Sequence, residues 1–292
     1  MRGRMRNLRV VCFIVVVGLL GAASRAGAQD AQRPAGTQEP QPPPERADPD
    51  VRVDPLEPDF NLAALPTTLR MPARKWAFRV THRFTRSIGE GNFGDLLRDA
   101  FGFDGSAQIG LELRYGVLPG TQVVVHRTSD RTIQLTGQHN FFSERRDARF
   151  GLDAIVGLEG ENNLRQQRRA IVGAIVSKRI ASLAAIYAEP VWVGNTNAID
   201  LPGTDNDTLQ LGLGTRIRVR PSLYLVGEIT PRLTGYDPGV NQASFGIEGR
   251  AGGHLFQLNF SNGFGTSFGQ LARGGVSDEN WYIGFNIARK FF

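Results

Sequence analysis

The last stretch of the chain, Asn280 to Phe292, limits the possible folds more than any other part of the sequence. Its apolar residues recur at every second position, and this alternation continues almost to the final residue. Alternation at period two is typical of a β-strand whose two faces meet different surroundings. Chain ends usually fray, so a strand that runs to the end of the chain needs a partner. Pairing with the first strand of a closed barrel would supply that partner.

The same alternation recurs upstream and predicts twelve strands. Most have about the length needed to cross a bilayer at a tilt, which is longer than strands of soluble sheets usually are. The predicted strands are Lys75–Thr85, Ala107–Tyr115, Gln122–Arg127, Arg131–Phe141, Arg149–Leu158, Arg169–Ile180, Leu183–Val193, Thr208–Arg220, Ser222–Thr230, Ala243–Arg250, His254–Ser261 and Asn280–Phe291.

The connections between these strands alternate between long and short, with one exception at Thr128–Asp130. Long loops at one end and tight turns at the other are typical of transmembrane β-barrels. We therefore predict an all-β fold, an antiparallel transmembrane β-barrel of about 12 strands, closed by pairing of the N- and C-terminal strands. The expected location is the bacterial outer membrane.

The start of the chain indicates export. A basic segment is followed by an apolar run and a small-residue cleavage site, Ala26-Gly27-Ala28, so residues 1–28 are predicted to be a signal peptide. The leader carries five of the 34 basic residues, and the remaining 29 are balanced by 28 acidic residues. The high net charge is therefore mainly a property of the leader, and nucleic acid is not expected as a partner.

Residues 29–64 are rich in proline and acidic residues and show no apolar period. Such a composition is typical of chain segments that cannot bury enough apolar surface to fold. We predict a disordered periplasmic tether over 29–64, available to a periplasmic partner, and the barrel over 65–292. The only cysteine, Cys12, lies in the leader, so the mature chain would contain no thiol.

Parity along the strands assigns side chains to the two faces of the barrel wall. The predicted lumen charges are Arg79, Arg83, Glu112, Arg114, Asp153, Arg216, Arg218, Glu228 and Glu248. Lys178 and Glu189 are also placed inside, although both faces of their strands are apolar. These charges would form either a selective constriction or an internal ion-pair network.

Aromatic residues fall near both expected membrane interfaces, as barrel girdles do. The predicted girdle is Trp76, Tyr115, Phe141, Trp192, Trp281 and Phe291. The chain end is similar to the sorting signal of outer-membrane barrels, an alternating strand that finishes on Phe. This similarity implies an assembly signal read by the barrel-assembly machinery, formed by Ile283, Phe285, Ile287, Phe291 and Phe292.

A family resemblance rests on four segments: Gly252–Asn262 (GGHLFQLNFSN), Phe78–Phe84, Phe101–Asp104 and Gly284–Arg289. They are similar to segments of an uncharacterised bacterial family described as a membrane-bound β-barrel domain. The resemblance covers about residues 65–292. It implies a membrane-bound barrel and no particular activity.

An enzymatic alternative is an outer-membrane lipase or acyltransferase. His126 and Ser129 lie three positions apart at a strand end, and Asp130 would orient the histidine. The flanking glycines of a nucleophile elbow are absent, so turn chemistry explains these residues better. His82 and His254 have no second ligand at metal-binding spacing. We predict no catalytic residue, metal or cofactor.

The sequence thus predicts a non-enzymatic barrel, either a narrow channel or a structural and docking component. Its expected partners are outer-membrane lipid, the barrel-assembly machinery and a periplasmic partner bound through residues 29–64.

Overall fold

The computed structural model describes residues 49–91, 94–95, 106–197, 202 and 205–292. The predicted signal peptide and residues 29–48 of the predicted tether lie outside the described residues. In the described part, no helix is both long and apolar enough to cross a membrane.

The described chain forms one antiparallel sheet that closes on itself. Its strands are β1 (Trp76–Ser87), β2 (Ala107–Leu118), β3 (Thr121–Thr128), β4 (Ile133–Phe142), β5 (Gly151–Gly160), β6 (Gln166–Ile180), β7 (Ala184–Val193), β8 (Thr208–Arg220), β9 (Leu223–Thr230), β10 (Arg232–Thr234), β11 (Gln242–Ala251), β12 (His254–Ser261) and β13 (Tyr282–Lys290). Strand β10 is a short piece that pairs with the start of β8 beyond the end of β9. The other twelve strands form the wall, as predicted.

Closure occurs at the seam between the first and last strands. β1 pairs with β13 in the register Val80↔Ile287, and β1 pairs with β2 on its other side. The ring is completed by the pairing of β9 with both β8 and β11. The prediction of a closed antiparallel barrel joined through its terminal strands is confirmed. A closed wall satisfies every strand edge, which a sheet in a membrane requires.

The two ends of the barrel differ in their connections. We call the end that carries Trp76 and Lys290 the terminal end, and the opposite end the loop end. At the terminal end the β8–β9 and β11–β12 turns contain only residues 221–222 and 252–253. Residues 194–207 and 262–281 connect strands at the loop end, where the short 129–132 connection is again the exception.

The outer face of the wall is apolar. Side chains at alternate wall positions are exposed, including Leu111, Leu113, Val125, Val156, Ile186, Leu213, Leu225, Ile247, Phe256 and Leu258. The polar side chains at the intervening positions are buried inside the barrel. This inside-out distribution is that of a protein surrounded by lipid.

The lumen is filled by the chain itself, and this corrects the predicted tether. Residues 50–71, here called the plug segment, enter the barrel at the terminal end, turn at residues 61–66 and return to the same end. The hydrogen bonds Thr67 N–Phe60 O (2.7 Å) and Leu62 N–Leu65 O (2.7 Å) close the turn, here called the plug tip. Residues 49–64 are therefore not a disordered tether. Wall side chains satisfy their backbone groups, so a segment without a regular apolar period can still be buried.

A second segment enters the lumen from the loop end. The helix Phe268–Ala272, here called the loop helix, belongs to the connection between β12 and β13. Ser267 caps it, with its side chain accepting from Gln270 N and the Gln270 side chain bonding back to the cap. Leu271 and Phe268 pack with Leu62 and Leu65 of the plug tip and with inward residues of the wall in one apolar cluster.

Candidate functional site

The plug tip lies in a ring of polar wall side chains. The backbone N–H groups of Ala63, Ala64 and Leu65 all donate to the Glu228 carboxylate, at 3.0 to 3.1 Å. Three successive amides that converge on one anion form a nest, and here the anion is a side chain of the protein itself. Glu228 thereby stays buried, with no salt bridge to any wall residue that the structure describes.

The opposite side of the tip is bound through its carbonyl groups. The Leu62 carbonyl accepts from Arg79 (2.9 Å), and the Ala63 carbonyl accepts from Arg79 (2.6 Å), Arg83 (3.1 Å) and Asn286 (3.1 Å). Hydrogen bonds from guanidinium groups are charge-assisted and so stronger than neutral ones. The tip is therefore held between two arginines of β1 with an asparagine of β13 on one side and an acidic residue of β9 on the other.

Two close approaches admit the apolar side chains of the tip. A β-carbon at Gly214 would collide with the side chain of Leu62, and one at Gly212 would lie 3.0 Å from the side chain of Leu65. Both glycines belong to β8 and face inward. The wall is thus shaped for these two leucines at positions where any larger residue would exclude them.

Ion pairs fasten the plug segment at the terminal end. Asp50 pairs with Arg70 (3.1 Å) and with Arg146 (3.0 Å), whereas Asp54 pairs with Arg145 (3.3 Å) and Arg179. Glu57 completes the set through Arg179 (2.8 Å). Its other oxygen accepts from the Tyr187 hydroxyl at 3.0 Å. The acidic composition that suggested a solvated tether instead complements a basic barrel mouth.

Between the plug tip and the loop helix the remaining space is small. The cavity there, lined by residues of both segments and by Gln134, has a volume of about 20 Å³, room for roughly one water molecule. The loop helix is held over it by Phe268 N–Gln134 (2.7 Å) and Gly269 N–Glu159 (2.9 Å). Two stacked barriers therefore occupy the lumen.

The predicted lumen charges lie as follows. Eight are buried inside the wall: Arg79, Arg83, Glu112, Arg114, Asp153, Arg216, Glu228 and Glu248. Arg218 is half-buried near the terminal end. Ion pairs join Glu112 to Arg114 (2.9 Å) and Arg216 to Glu248 (2.6 Å). Among the described residues, Arg79, Arg83 and Glu228 form no such pair and bind the plug instead.

Lys178 corrects the assignment of strand β6. The inward residues of this strand include Ile171, Ile175 and Ser177, and Lys178 is exposed on the outer face, where it pairs with Glu144 (2.6 Å). Both faces of β6 are apolar, so parity could not be fixed by pattern. Glu189 does face inward, and neither of its carboxylate oxygens has a hydrogen-bond partner among the described residues.

The proposed catalytic pair does not form. His126 is buried and faces the lumen, where its Nε2 has no partner among the described residues. Ser129 Oγ instead accepts from Ile109 N at 3.0 Å and lies 3.3 Å from the Gln108 side chain. His126 faces the lumen, whereas Ser129 bonds to the neighbouring strand β2. The Ser–His hydrogen bond that the lipase alternative requires is therefore not formed.

Asp130 has a structural role in the β3–β4 connection. Its carboxylate accepts from the Thr128 hydroxyl, from Thr132 N (3.1 Å) and from Gln270 of the loop-helix segment (3.0 Å). Partial burial opposes ionisation, but the hydrogen bonds from Thr128 and Thr132 outweigh it and lower the pKa of Asp130. Asp130 therefore keeps its negative charge, which stabilises the β3–β4 turn and the contact with Gln270.

The predicted girdle and chain end occupy the two rims. Trp76, Tyr115, Phe141 and Phe291 lie at the terminal end, and Trp192 and Trp281 lie at the loop end. Ile283, Phe285 and Ile287 lie on β13, Phe291 N bonds to Trp76 O (2.9 Å), and Phe292 packs against an apolar cluster of the plug segment. A role of this end as an assembly signal stays a prediction.

Several residues of the site were not among the predicted ones. Asn286, Gln257, Gln138, Glu159 and Arg169 all face inward and bind the plug segment, the loop helix or one another. Strand parity alone would have found Asn286, Gln257 and Gln138, which lie within predicted strands of clear alternation. The plug residues carried no such signal, since their binding depends on wall residues distant in sequence.

No metal site is present among the described residues, because no three His, Cys, Asp or Glu side chains come together there.

No curated protein matches the chain. A solved structure titled "KdgM porin in complex with disordered oligogalacturonate" aligns with 74% of this chain and 99% of its own, at 7% identity and a TM-score of 0.48. The Acinetobacter baumannii outer membrane protein Omp33 aligns over 77% and 100%, at 10% identity and a TM-score of 0.44.

The family comparison covers most of the chain. The model described as "Membrane bound beta barrel domain (DUF5777)" matches residues 59–291, which include the plug tip and every strand of the wall. The inside-out wall and the closed seam are what this description requires. The chain belongs to the membrane-bound β-barrel domain family.

Proposed function

We propose that the protein is a non-enzymatic channel of the bacterial outer membrane that its own plug segment keeps closed. Twelve strands enclose a lumen wider than wall side chains alone can fill, since about eight strands already reach that limit. The polar inner face of the wall suits the passage of water-soluble molecules once the plug segment has withdrawn.

The attachment of the plug segment carries this proposal. Both of its ends are at the terminal end, so it can withdraw without being threaded through the barrel. Within the described residues it forms no strand ladder with the wall. It is held by side-chain hydrogen bonds and ion pairs, which can break while the ladder of the wall stays intact.

A second candidate is a permanently closed structural barrel whose residues 29–48 dock a periplasmic partner. The fit of Leu62 against Gly214 and of Leu65 against Gly212 favours this candidate, because it resembles the packing of a protein core. The two candidates differ in one respect that can be measured, namely whether the plug segment leaves a folded barrel.

A reversible cross-link tests this difference. The hydroxyl oxygens of Thr68 in the plug segment and Ser177 in β6 lie 2.6 Å apart, so cysteines at both positions are within disulfide reach. The double variant T68C/S177C is reconstituted in planar bilayers, and current is recorded in urea too dilute to unfold the barrel. The reduced protein is expected to conduct at least ten times more than the oxidised protein.

The single variants T68C and S177C, treated with the same oxidant, are the matched controls and should behave as the reduced protein does. Gel mobility of unheated samples verifies the folded barrel, and mass spectrometry verifies the cross-link. If the reduced and oxidised proteins stay equally closed up to the urea concentration that unfolds the barrel, the structural candidate is correct and the channel is rejected.

A further inference from the structure

The environment of Ala63 resembles a binding site for a single amino acid. Its N–H donates to Glu228 (3.0 Å), and its carbonyl accepts from Arg79 (2.6 Å), Arg83 (3.1 Å) and Asn286 (3.1 Å). Ala63 therefore bridges two sides of the wall: its nitrogen contacts the anionic Glu228, and its carbonyl oxygen contacts the cationic Arg79 and Arg83.

The groups that hold Ala63 have charges that the plug does not neutralise. A peptide N–H and a peptide carbonyl are dipoles without net charge, whereas Glu228, Arg79 and Arg83 are full charges buried in the wall. The Nε atoms of Arg79 and Arg83 have no partner among the described residues, and neither oxygen of Glu189, two strands from Glu228, has one either. Buried ionic groups of this kind favour a ligand that brings opposite charges.

We propose that, once the plug tip withdraws, the space held by Ala63 binds a small zwitterion of the α-amino acid class. The ligand carboxylate takes the place of the Ala63 carbonyl between Arg79, Arg83 and Asn286. The ligand ammonium group takes the place of the Ala63 N–H at Glu228. This inference rests on the proposed channel function, since the site is free only when the plug segment has left.

Ligands with one charge fit the site less well. A simple carboxylate would bind the arginines without contacting Glu228, and a simple amine would bind Glu228 without contacting the arginines. An α-amino acid carries both groups on one carbon, at the separation that Ala63 itself presents. Alanine reproduces the residue that occupies this position in the closed state, so L-alanine is the first ligand to test.

Current block by solutes tests the site in the full-length protein. Wild-type protein is opened in planar bilayers with sub-unfolding urea, and L-alanine, propionate or ethylammonium is added. The last two each keep one charged group of alanine on a similar carbon skeleton. L-Alanine is expected to block half of the current at a concentration at least ten times lower than propionate or ethylammonium requires.

Variants locate the block. R83Q and E228Q are each expected to raise the half-blocking concentration of L-alanine at least ten-fold. R218Q removes one arginine near the terminal end, where Arg218 is half-buried, and should leave that concentration within two-fold of wild type. Gel mobility of unheated samples verifies each fold, and the wild-type comparison of the three solutes needs no variant.

The outcomes separate the two proposals. If urea opens no current in any protein, the channel function fails and the site with it. If current opens but L-alanine blocks no better than propionate and ethylammonium, the channel stands and the zwitterion site is rejected. If alanine blocks selectively in R83Q and E228Q as strongly as in wild type, the block lies elsewhere and the assignment to these residues is wrong.

Discussion

The plug segment and the loop helix close the same lumen from opposite ends, but they are held differently. The plug segment is continuous with the wall only at its β1 end, and charged side chains of the wall bind its backbone. The loop helix is joined to β12 and β13 on its two sides and is held by backbone N–H bonds to Gln134 and Glu159 and by the bond from Gln270 to Asp130. One barrier can therefore leave as a whole, whereas the other can only move aside on its two strands.

In the proposed channel, this difference indicates which of the two barriers would control opening. Withdrawal of the plug segment breaks its ion pairs and charge-assisted hydrogen bonds with the wall, so it has a high cost and requires a trigger. Displacing the loop helix breaks fewer bonds, yet its tethers keep it beside the barrel mouth. A stable closed state would thus depend mainly on the plug, with the loop as a secondary cover.

The largest expected effect tests the plug segment through Glu228. E228A leaves three amides of the plug tip without their acceptor and is expected to weaken plug docking by about 3–5 kcal/mol, since each buried donor left unsatisfied costs about 1–3 kcal/mol. Trypsin cleavage after Arg70, which is buried in the docked state, reports the docking equilibrium as urea is raised.

The exposed residue Glu279 provides the control, and E279A should change docking by less than about 0.5 kcal/mol. An unchanged cleavage rate at Arg70 in E228A would mean that the amide nest does not hold the plug segment.

An intermediate effect is expected at the loop helix. G269A places a methyl group against the Glu159 carboxylate and should destabilise helix docking by about 1–3 kcal/mol. Cleavage after Arg273 should accelerate while Arg70 stays protected, since the two barriers are held by different wall groups.

The control for this change is G249A, because a methyl group at Gly249 meets no atom within 4 Å. Loss of protection at Arg70 in G269A would show that the barriers move together, contrary to the comparison.

The smallest expected effect is a weakening of loop-helix docking at acidic pH. The pKa of Asp130 is lowered in the folded protein, so its contribution to loop docking is complete above about pH 4, the pKa range of a free aspartate. The contribution is lost as pH falls through the lowered folded pKa. Hydrogen exchange of the Phe268–Ala272 amides should therefore accelerate slightly below that range, and D130N should lack this acid-dependent step. Equal acid dependence in D130N would assign the step to another group.

The wall could be predicted from sequence because its signals are local. Alternation placed each strand, and tight turns such as Pro119-Gly120 placed the terminal end. The apolar-out pattern of Leu209 to Val219 also fixed which side of β8 meets lipid. The assignment of Lys178 in β6 to the lumen was wrong, because both faces of this strand are apolar and the alternation does not show which face meets lipid.

The plug segment could not be predicted because its burial is set by distant residues. Its acidic first half, from Asp50 to Glu57, has the composition of a disordered segment, and only Arg145, Arg146 and Arg179 give it a docking place. Its second half, from Asn61 to Met71, contains no acidic residue and is apolar enough to suggest burial. That change of composition at Phe60 was the available signal.

The carbonyl of Ala63 also has a consequence for how the molecule is built. It accepts from Arg79 and Arg83 of the first strand and from Asn286 of the last, residues more than 200 positions apart in sequence. Bringing such distant strands together is the step with the greatest loss of chain entropy in closing a ring. A plug tip that is already bound to β1 presents the Ala63 carbonyl as an acceptor for Asn286 of β13. The plug tip can therefore act as an internal template for pairing of the first and last strands.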